Sequence, residues 1–332
     1  MRFSAKIVKI TLIMVVLVSF FGGCAREESS KPIKETQLML DTFCSITIYG
    51  DGNRETLAEA FDLCAGYEAV FSKTVEGSDV WRINNAGGAP VEVSPETAEI
   101  IKIALEYGEL SGGLFDITIG QVSSLWDFSG KSELPSEHEI KNAIDSVDYR
   151  KASVEGNTVH LDDPHAQIDL GGIAKGYIAD RLADFLRESG VGGAVIDLGG
   201  DIVVLGRKSD GSPWRVGVKR PFGDAGDYLG IVHTAEASIV SSGVYERGFE
   251  QDGTLYHHIL DPFTGMPVSS DVIGATVVSD SSMVGDVLST SIILMGSDAA
   301  ATLFSEIPGF IGAIIVLEDG EVLQYGSIDF TN

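Results

Sequence analysis

The amino-acid sequence predicts an α+β fold, in which strands outnumber helices but helices lie between them. Short runs rich in β-branched residues recur along the chain, such as the alternating run Leu40–Tyr49 and the apolar run Val272–Val278, which is predicted to be a buried strand. Amphipathic helical patterns separate these runs. The chain has 332 residues, 44% of them hydrophobic, and no linker-like stretch interrupts it after residue 36. We therefore expect a single domain over residues 37–332.

The N-terminal segment predicts export and lipid anchoring. Basic residues precede an apolar run, Ile10–Phe21, which is too short for a comfortable membrane span and is typical of a signal peptide over residues 1–23. Small residues stand just before Cys24, as in a bacterial lipobox, so Cys24 is predicted to carry lipid after cleavage. An uncleaved N-terminal anchor is the alternative. Residues 24–36 are predicted to be the lipidated cysteine and a flexible tether, with the domain facing outside the cytoplasm of a bacterium.

The charge balance excludes nucleic acid as a partner. The formal net charge is −26, and no basic cluster relieves it. A phosphate-containing ligand would need a local cation, and Mg²⁺ suits the plentiful acidic oxygens. Cys44 and Cys64 have no metal-binding or disulfide spacing and are predicted to be buried thiols.

The first half of the chain gives several local structure predictions. Asn53 is predicted to cap a helix, and Ser94-Pro95 to begin another that runs to about Leu110. Ser72–Gly88 is predicted to be a loop. Ser136 to Glu139 form a capping box. The apolar side of the Asn53 helix is formed by Leu57, Ala60, Phe61, Cys64 and Phe71. A hairpin is predicted over Val154–Leu161.

The stretch Ile168–Gly176, Ile-Asp-Leu-Gly-Gly-Ile-Ala-Lys-Gly, predicts a strand end, a glycine turn and a helix beginning near Ile173. Such a turn suits phosphate, because helix N–H groups and a close backbone approach favour an anion. Ile196–Asp201 repeats Ile-Asp-Leu-Gly-Gly, which suggests adjacent strands whose ends face one cleft. Chance similarity of two strand ends is the alternative.

The second half predicts further strands and one long helix. The strands are expected at Trp214–Val218, Val272–Val278 and, as a closing pair, within Gly309–Leu323. The helix is expected over Met283–Met295.

Two groups in this half are candidates for chemistry. Asp286 and Thr290 share one helix face, which suits Mg²⁺, although an acid near a helix N-terminus is common without a metal. His257 and His258 point to opposite faces of a predicted strand, so at most one faces a given site as a base.

Several separated stretches together resemble the ApbE family, the FAD:protein FMN transferases. The matching stretches, in the family's order, are Phe115–Gly120 with Leu125-Trp126, Ile168–Gly176, Leu198–Asp201, Ser242–Arg247, His258–Pro262 with Thr264-Gly265, and Asp286–Thr290. The resemblance implies a single ApbE-like, T-fold-like domain with mixed sheets, flanking helices and an FAD cleft between two lobes.

The resemblance also implies the residues of a site. It implies a magnesium ion held by a main-chain oxygen of Gly172, by Asp286 and by Thr290. The residues implied to hold FAD are Leu40, Leu114, Phe115, Asp116, Asp169, Lys175 and Ile259. Two positions depart from the family pattern, since Leu40-Asp41-Thr42 replaces Met-Gly-Thr and Gly285 replaces an alanine.

The implied reaction is Mg²⁺-dependent transfer of FMN from FAD to a threonine hydroxyl of an acceptor redox protein, with release of AMP. His258 is the candidate base, Asp286 the catalytic metal ligand, and Arg247 and Lys175 candidate phosphate partners. Water as the nucleophile would make the protein an FAD pyrophosphatase. A third hypothesis is a flavin-binding lipoprotein without catalysis, and a fourth is a purely structural lipoprotein.

Overall fold

The computed structural model describes residues 31–50, 52–128, 133–208, 210–224, 226–304 and 307–332. The predicted signal peptide and Cys24 lie outside these residues. Within them, no helix is both long and apolar enough to cross a membrane.

An eight-stranded sheet forms the centre of the described chain, with strand order β1-β2-β6-β7-β10-β13-β14-β15. Its strands are β1 (Ile33–Met39), β2 (Thr42–Tyr49), β6 (Gly193–Leu198), β7 (Asp201–Gly206), β10 (Ala237–Gly243), β13 (Val272–Ser279), β14 (Phe310–Leu317) and β15 (Val322–Gly326). All of its neighbouring strands pair antiparallel.

Three smaller sheets flank the central one in the described chain. Their strands are β3 (Val91–Glu92), β5 (Thr158–Leu161) and β4 (Ala152–Glu155); β16 (Phe330–Thr331), β9 (Tyr228–Thr234) and β8 (Trp214–Lys219); and β11 (Gly248–Gln251) with β12 (Thr254–His257). The fold is α+β, as the sequence predicts.

Three helices begin at the polar caps that the sequence predicts, Asn53, Ser94 and Ser136. Asn53 Oδ1 accepts the N–H groups of Glu55 and Thr56, and Ser136 with Glu139 forms the predicted capping box. The helices are α1 (Arg54–Phe71), α2 (Asp79–Asn84), α3 (Pro95–Leu110), α4 (Gly120–Ser123), α5 (Glu137–Ile144), α6 (Ala174–Glu188), α7 (Ser282–Met295) and α8 (Ser297–Leu303), with one 3₁₀ turn at Tyr149–Lys151. All five residues predicted on the apolar side of α1 are buried.

Three local predictions differ from the structure. Strand β1 begins at Ile33, so it takes up the last residues of the segment predicted as a tether. Helix α2 lies inside the segment Ser72–Gly88, which was predicted to be a loop. The helix begins there because the Ser78 side chain caps it by accepting the Trp81 N–H. The chain before α6 is not a strand of any sheet, although Gln167 forms an isolated parallel bridge with Ile119.

The segment before α6 is extended because side chains and loops satisfy its backbone. Asn84 donates Nδ2–H to the Ile168 carbonyl and accepts the Ile168 N–H through Oδ1. The Asp169 N–H donates to the Ile117 carbonyl. Ile168 and Leu170 are buried in the core beneath this connection. The glycine turn that follows is thus held in place without a sheet.

Candidate functional site

A cavity of about 810 Å³ opens beside the N-terminal half of α6 and the middle of α7. All the predicted site residues within the described chain line it, namely Leu40, Leu114, Phe115, Asp116, Asp169, Gly172, Lys175, Arg247, His258, Ile259, Asp286 and Thr290. These residues are spread over 250 positions of the sequence, and the fold brings them to one cavity.

Helices α6 and α7 meet at the cavity through Gly176. Its N–H donates to Oδ2 of Asp286 at 3.0 Å, and a Cβ at position 176 would lie 2.4 Å from the Ser282 carbonyl oxygen. Only glycine therefore permits this approach. Asp286, which is 3% exposed, lines the cavity together with Thr290 and Gly172.

Lys175 supplies a positive charge to the same wall. Its Nζ lies 2.7 Å from Oδ1 of Asp201 and 3.9 Å from Oδ1 of Asp286. Burial alone would lower the pKa of Lys175, but the two carboxylates raise it above its usual value. Burial, with the charge of Asp286 added, raises the pKa of Asp201 well above the usual range of an aspartate.

The donor set on this wall fits a hard divalent cation. Within the described chain, no three His, Cys, Asp or Glu side chains form a metal-binding group. What the wall offers is oxygen: the Asp286 carboxylate, the Thr290 hydroxyl, which lies 3.4 Å from Oγ of Ser242, and the backbone at Gly172. Oxygen donors with few protein ligands suit Mg²⁺, which keeps several waters, better than zinc.

A second ion pair lines the cavity, and the sequence does not reveal it. Lys73 Nζ lies 2.8 Å from Oδ2 of Asp169 and donates to Oγ of Ser123, also at 2.8 Å. Ser123 Oγ in turn donates to Oδ2 of Asp169 at 2.6 Å, and the Gly171 N–H donates to Oδ1. Burial would raise the pKa of Asp169, but Lys73 and these donors lower it below the usual range, so Asp169 is ionised.

Asp116 holds the loop that carries Leu114 and Phe115. Its Oδ1 accepts from the N–H and hydroxyl of Thr118, and its Oδ2 accepts the Tyr149 N–H at 2.8 Å. Burial raises the pKa of this carboxyl despite those donors. Asp116 therefore shapes the cavity wall as well as lining it.

The two adjacent histidines lie in different surroundings: His257 is the last residue of β12 and His258 follows the end of the strand. His258 lines the cavity, whereas His257 is buried away from it and its Nε2 lies 3.2 Å from the Val268 carbonyl. His258 Nδ1 lies 3.2 Å from the Arg247 carbonyl, which can only accept. Nδ1 therefore carries the proton and Nε2 keeps its lone pair. Burial lowers the pKa of His258 to about 4, so the ring is neutral near pH 7.

The repeated Ile-Asp-Leu-Gly-Gly sequence does not mark two adjacent strands. The second copy forms the β6–β7 hairpin, where Gly199 and Gly200 both have positive φ, whereas the first copy precedes α6 outside any sheet. The prediction of adjacent strands was wrong, because the backbone N–H and carbonyl of Ile168 in the first copy bond to the Asn84 side chain instead of to a neighbouring strand. Both glycine turns nevertheless line the cavity.

The chain resembles known proteins over nearly all of its length. The model of the ApbE family matches residues 40–315. The chain is 30% identical to an FAD:protein FMN transferase of Treponema pallidum, over 93% of this chain and 91% of the relative. It is 35% identical to one of Klebsiella pneumoniae, over 81% of this chain and 84% of the relative.

Solved structures show the same fold. The ApbE protein of Thermotoga maritima superposes with a TM-score of 0.80 at 32% identity, over 89% of this chain and 97% of that one. The flavin transferase ApbE of Vibrio cholerae gives 0.79 at 27% identity, over 90% and 97%. The fold and the cavity, with these relatives, define a transferase enzyme. The chain belongs to the ApbE family.

Proposed function

We propose that this enzyme transfers FMN from FAD to a threonine hydroxyl of an acceptor protein, with Mg²⁺ as cofactor and AMP as the second product. The observation that carries the proposal is that Gly172, Asp286 and Thr290 line one cavity, in which Nζ of Lys175 lies 3.9 Å from Oδ1 of Asp286. An oxygen-rich wall next to a lysine suits a pyrophosphate with a divalent cation. The names of the curated relatives support FAD as the substrate.

The reaction exchanges one P–O bond for another and moves one proton. The threonine Oγ attacks the FMN phosphorus, the phosphoanhydride bond to AMP breaks, and the hydroxyl proton goes to Nε2 of His258. When bound, Mg²⁺ would neutralise phosphate charge and stabilise the developing charge on the leaving oxygen. Asp286, Thr290 and the Gly172 carbonyl would hold it. Lys175 and Arg247, both on the cavity wall, neutralise phosphate charge as well.

The test is mass spectrometry of a candidate acceptor incubated with enzyme, FAD and Mg²⁺. The acceptor is expected to gain the mass of FMN less one water. Asp286→Asn should abolish Mg²⁺-dependent AMP release, because the amide is a poor metal ligand but still accepts the Gly176 N–H and so keeps the α6–α7 contact. Full activity in Asp286→Asn would remove Asp286 from the metal site.

His258→Ala tests the base, with His257→Ala as its matched neighbour. His258→Ala is expected to lower kcat by about a hundredfold or more while FAD still binds. His257→Ala is expected to change kcat far less, because His257 does not line the cavity. The reverse order of effects would show that His258 is not the base.

Measuring AMP release and FAD binding in the same incubation distinguishes hydrolysis from simple binding. AMP release with an unchanged acceptor mass would make the protein an FAD pyrophosphatase. Stable FAD binding without AMP release would make it a flavin-binding protein.

We also propose that a lipid on Cys24 anchors the enzyme to the membrane, facing outside the cytoplasm, where exported redox proteins would be its acceptors. The support is the sequence pattern before Cys24. Cys24→Ser should move the protein from the membrane fraction to the soluble fraction and remove labelling by a fatty-acid probe. Unchanged fractionation and labelling would contradict the anchor.

A further inference from the structure

Helices α6 and α7 cap each other's N-termini through one carboxylate each. Asp286 of α7 accepts the N–H of Gly176 in the first turn of α6, where no side chain of the preceding residue caps the helix. Asp180 of α6 accepts the N–H groups of Ser282 and Met283, the first two residues of α7, at 2.7 and 3.1 Å. Three of the first-turn N–H groups that the two helices cannot satisfy internally are thus satisfied by the partner helix.

The cap on α7 is complete. Ser281, the residue before the helix, donates its hydroxyl to Oδ2 of Asp180 at 2.6 Å and accepts the Val284 N–H. The negative charge of Asp180 also lies at the positive end of the α7 dipole. Burial raises the pKa of Asp180, although the hydrogen bonds from Ser281, Ser282 and Met283 and the charge of Arg181 favour its ionised form.

The geometry fixes α7 at two points. Gly176 and Asp180 are four residues apart and therefore share one face of α6. Gly176 contacts Asp286, and Asp180 contacts the start of α7, so the two helices run antiparallel in a set register. Because α7 carries both Asp286 and Thr290, any rotation or slide of the helix would displace both proposed metal ligands.

We propose that Asp180 is a positioning residue of the metal site: it holds the start of α7 and thereby sets where Asp286 and Thr290 present their oxygens. The inference rests on the proposed function, since it assumes a divalent cation at these two residues. Asp180 lies outside the residues that line the cavity and acts only through α7.

Asp79 provides a matched control within the chain. Its Oδ2 accepts from the N–H and hydroxyl of Ser94 and from the hydroxyl of Thr97, so it supports the start of α3 as Asp180 supports α7. Helix α3 contributes no residue to the cavity. Removing this carboxylate therefore costs stability but removes hydrogen bonds to Ser94 and Thr97 rather than to α7, which carries Asp286 and Thr290.

The experiment measures Mn²⁺ binding by the purified full-length protein, from the electron paramagnetic resonance signal of free Mn²⁺. Asp180→Asn is expected to raise the Mn²⁺ Kd by about tenfold, as loss of an outer-shell support does at other metal sites. Asp79→Asn is expected to lower Tm but leave the Mn²⁺ Kd unchanged. Ser281→Ala, which removes one hydrogen bond to Asp180 and the acceptor of the Val284 N–H, should give a smaller rise in Kd and serves if Asp180→Asn does not fold.

The outcomes separate this inference from the proposed function. If Asp286→Asn loses Mn²⁺ binding but Asp180→Asn and Ser281→Ala bind as the wild type does, only the role of Asp180 is wrong. Equal increases in Kd in Asp180→Asn and Asp79→Asn would also overturn it, since they would reflect general destabilisation. If Asp286→Asn binds Mn²⁺ normally, the proposed metal site itself fails.

Discussion

Two lysine–aspartate ion pairs lie at the same cavity, which Lys175, Lys73 and Asp169 line. The two pairs have similar Nζ–Oδ distances, but their aspartates differ in burial and in hydrogen bonding. The Nζ–Oδ distance is 2.7 Å for Lys175 and Asp201 and 2.8 Å for Lys73 and Asp169. The Asp201 side chain is 1% exposed, whereas that of Asp169 is 20% exposed. Asp169 uses both oxygens, with Lys73, Ser123 and the Gly171 N–H as donors.

Asp201 is less completely satisfied. Its Oδ2 has no hydrogen-bond partner within the described part of the chain. The pKa of Asp201 is accordingly raised by burial, whereas that of Asp169 is lowered by its donors. A lysine–aspartate pair thus stabilises the ionised carboxylate where both oxygens also have hydrogen-bond donors, as in Asp169, but only partly offsets desolvation where one oxygen has none, as in Asp201.

The largest expected effect separates the two lysines. Lys175→Met removes the cation beside Asp201 and leaves a buried carboxylate unpaired, so the free energy of unfolding in urea should fall by about 3 kcal/mol near pH 7. Lys73→Met is the matched control, because Asp169 keeps Ser123 and Gly171 and contacts solvent. Its loss should be below about 1 kcal/mol. Equal decreases in the free energy of unfolding in the two variants would contradict the proposed difference between the two ion pairs.

A smaller effect distinguishes the two aspartates by the sign of their pH dependence. The native pKa of Asp201 is raised, so its contribution to stability is present below the unfolded pKa, about 3.9, and is lost as pH rises through the native pKa. The native pKa of Asp169 is lowered, so its contribution is present above about 3.9 and is lost as pH falls through the native pKa.

Urea unfolding of the wild type, Asp201→Asn and Asp169→Asn as a function of pH measures this difference. The stability of the wild type relative to Asp201→Asn should decrease as pH rises, and relative to Asp169→Asn it should increase. Each unit of pKa shift corresponds to about 1.4 kcal/mol. Two curves of the same slope would show that the two carboxylates share one environment.

The sequence predicts what depends on neighbours along the chain. Asn53, Ser94 and the Ser136–Glu139 box mark helix starts through contacts only two or three residues away, and all three are confirmed. The helix over Met283–Met295 is confirmed to within one residue, because its apolar pattern and the α7 element coincide.

The sequence does not predict what depends on distant partners. The apolar run at Ile168 looks like a strand, yet its hydrogen bonds go to Asn84, 84 residues away. Lys73 belongs to no motif, and its partner Asp169 is 96 residues distant. Asp180 lies on a helix with an ordinary amphipathic pattern, and its capping role appears only when α7 is placed beside it. The family resemblance located the cavity residues but not these supports.

The turn between β1 and β2 constrains how this cavity can change over evolution. Leu40 and Asp41 both have left-handed backbone, with φ of 53° and 55°, and Met39 pairs with Thr42 across them, so the hairpin has a two-residue loop. Inserting one residue within β2, between Thr42 and Cys44, would shift the strand pairing and turn Cys44, Ile46 and Ile48 from the core towards solvent. Leu40 and Asp41 line the cavity, so this part of it can change by substitution in the turn, whereas β2 itself tolerates no change in length.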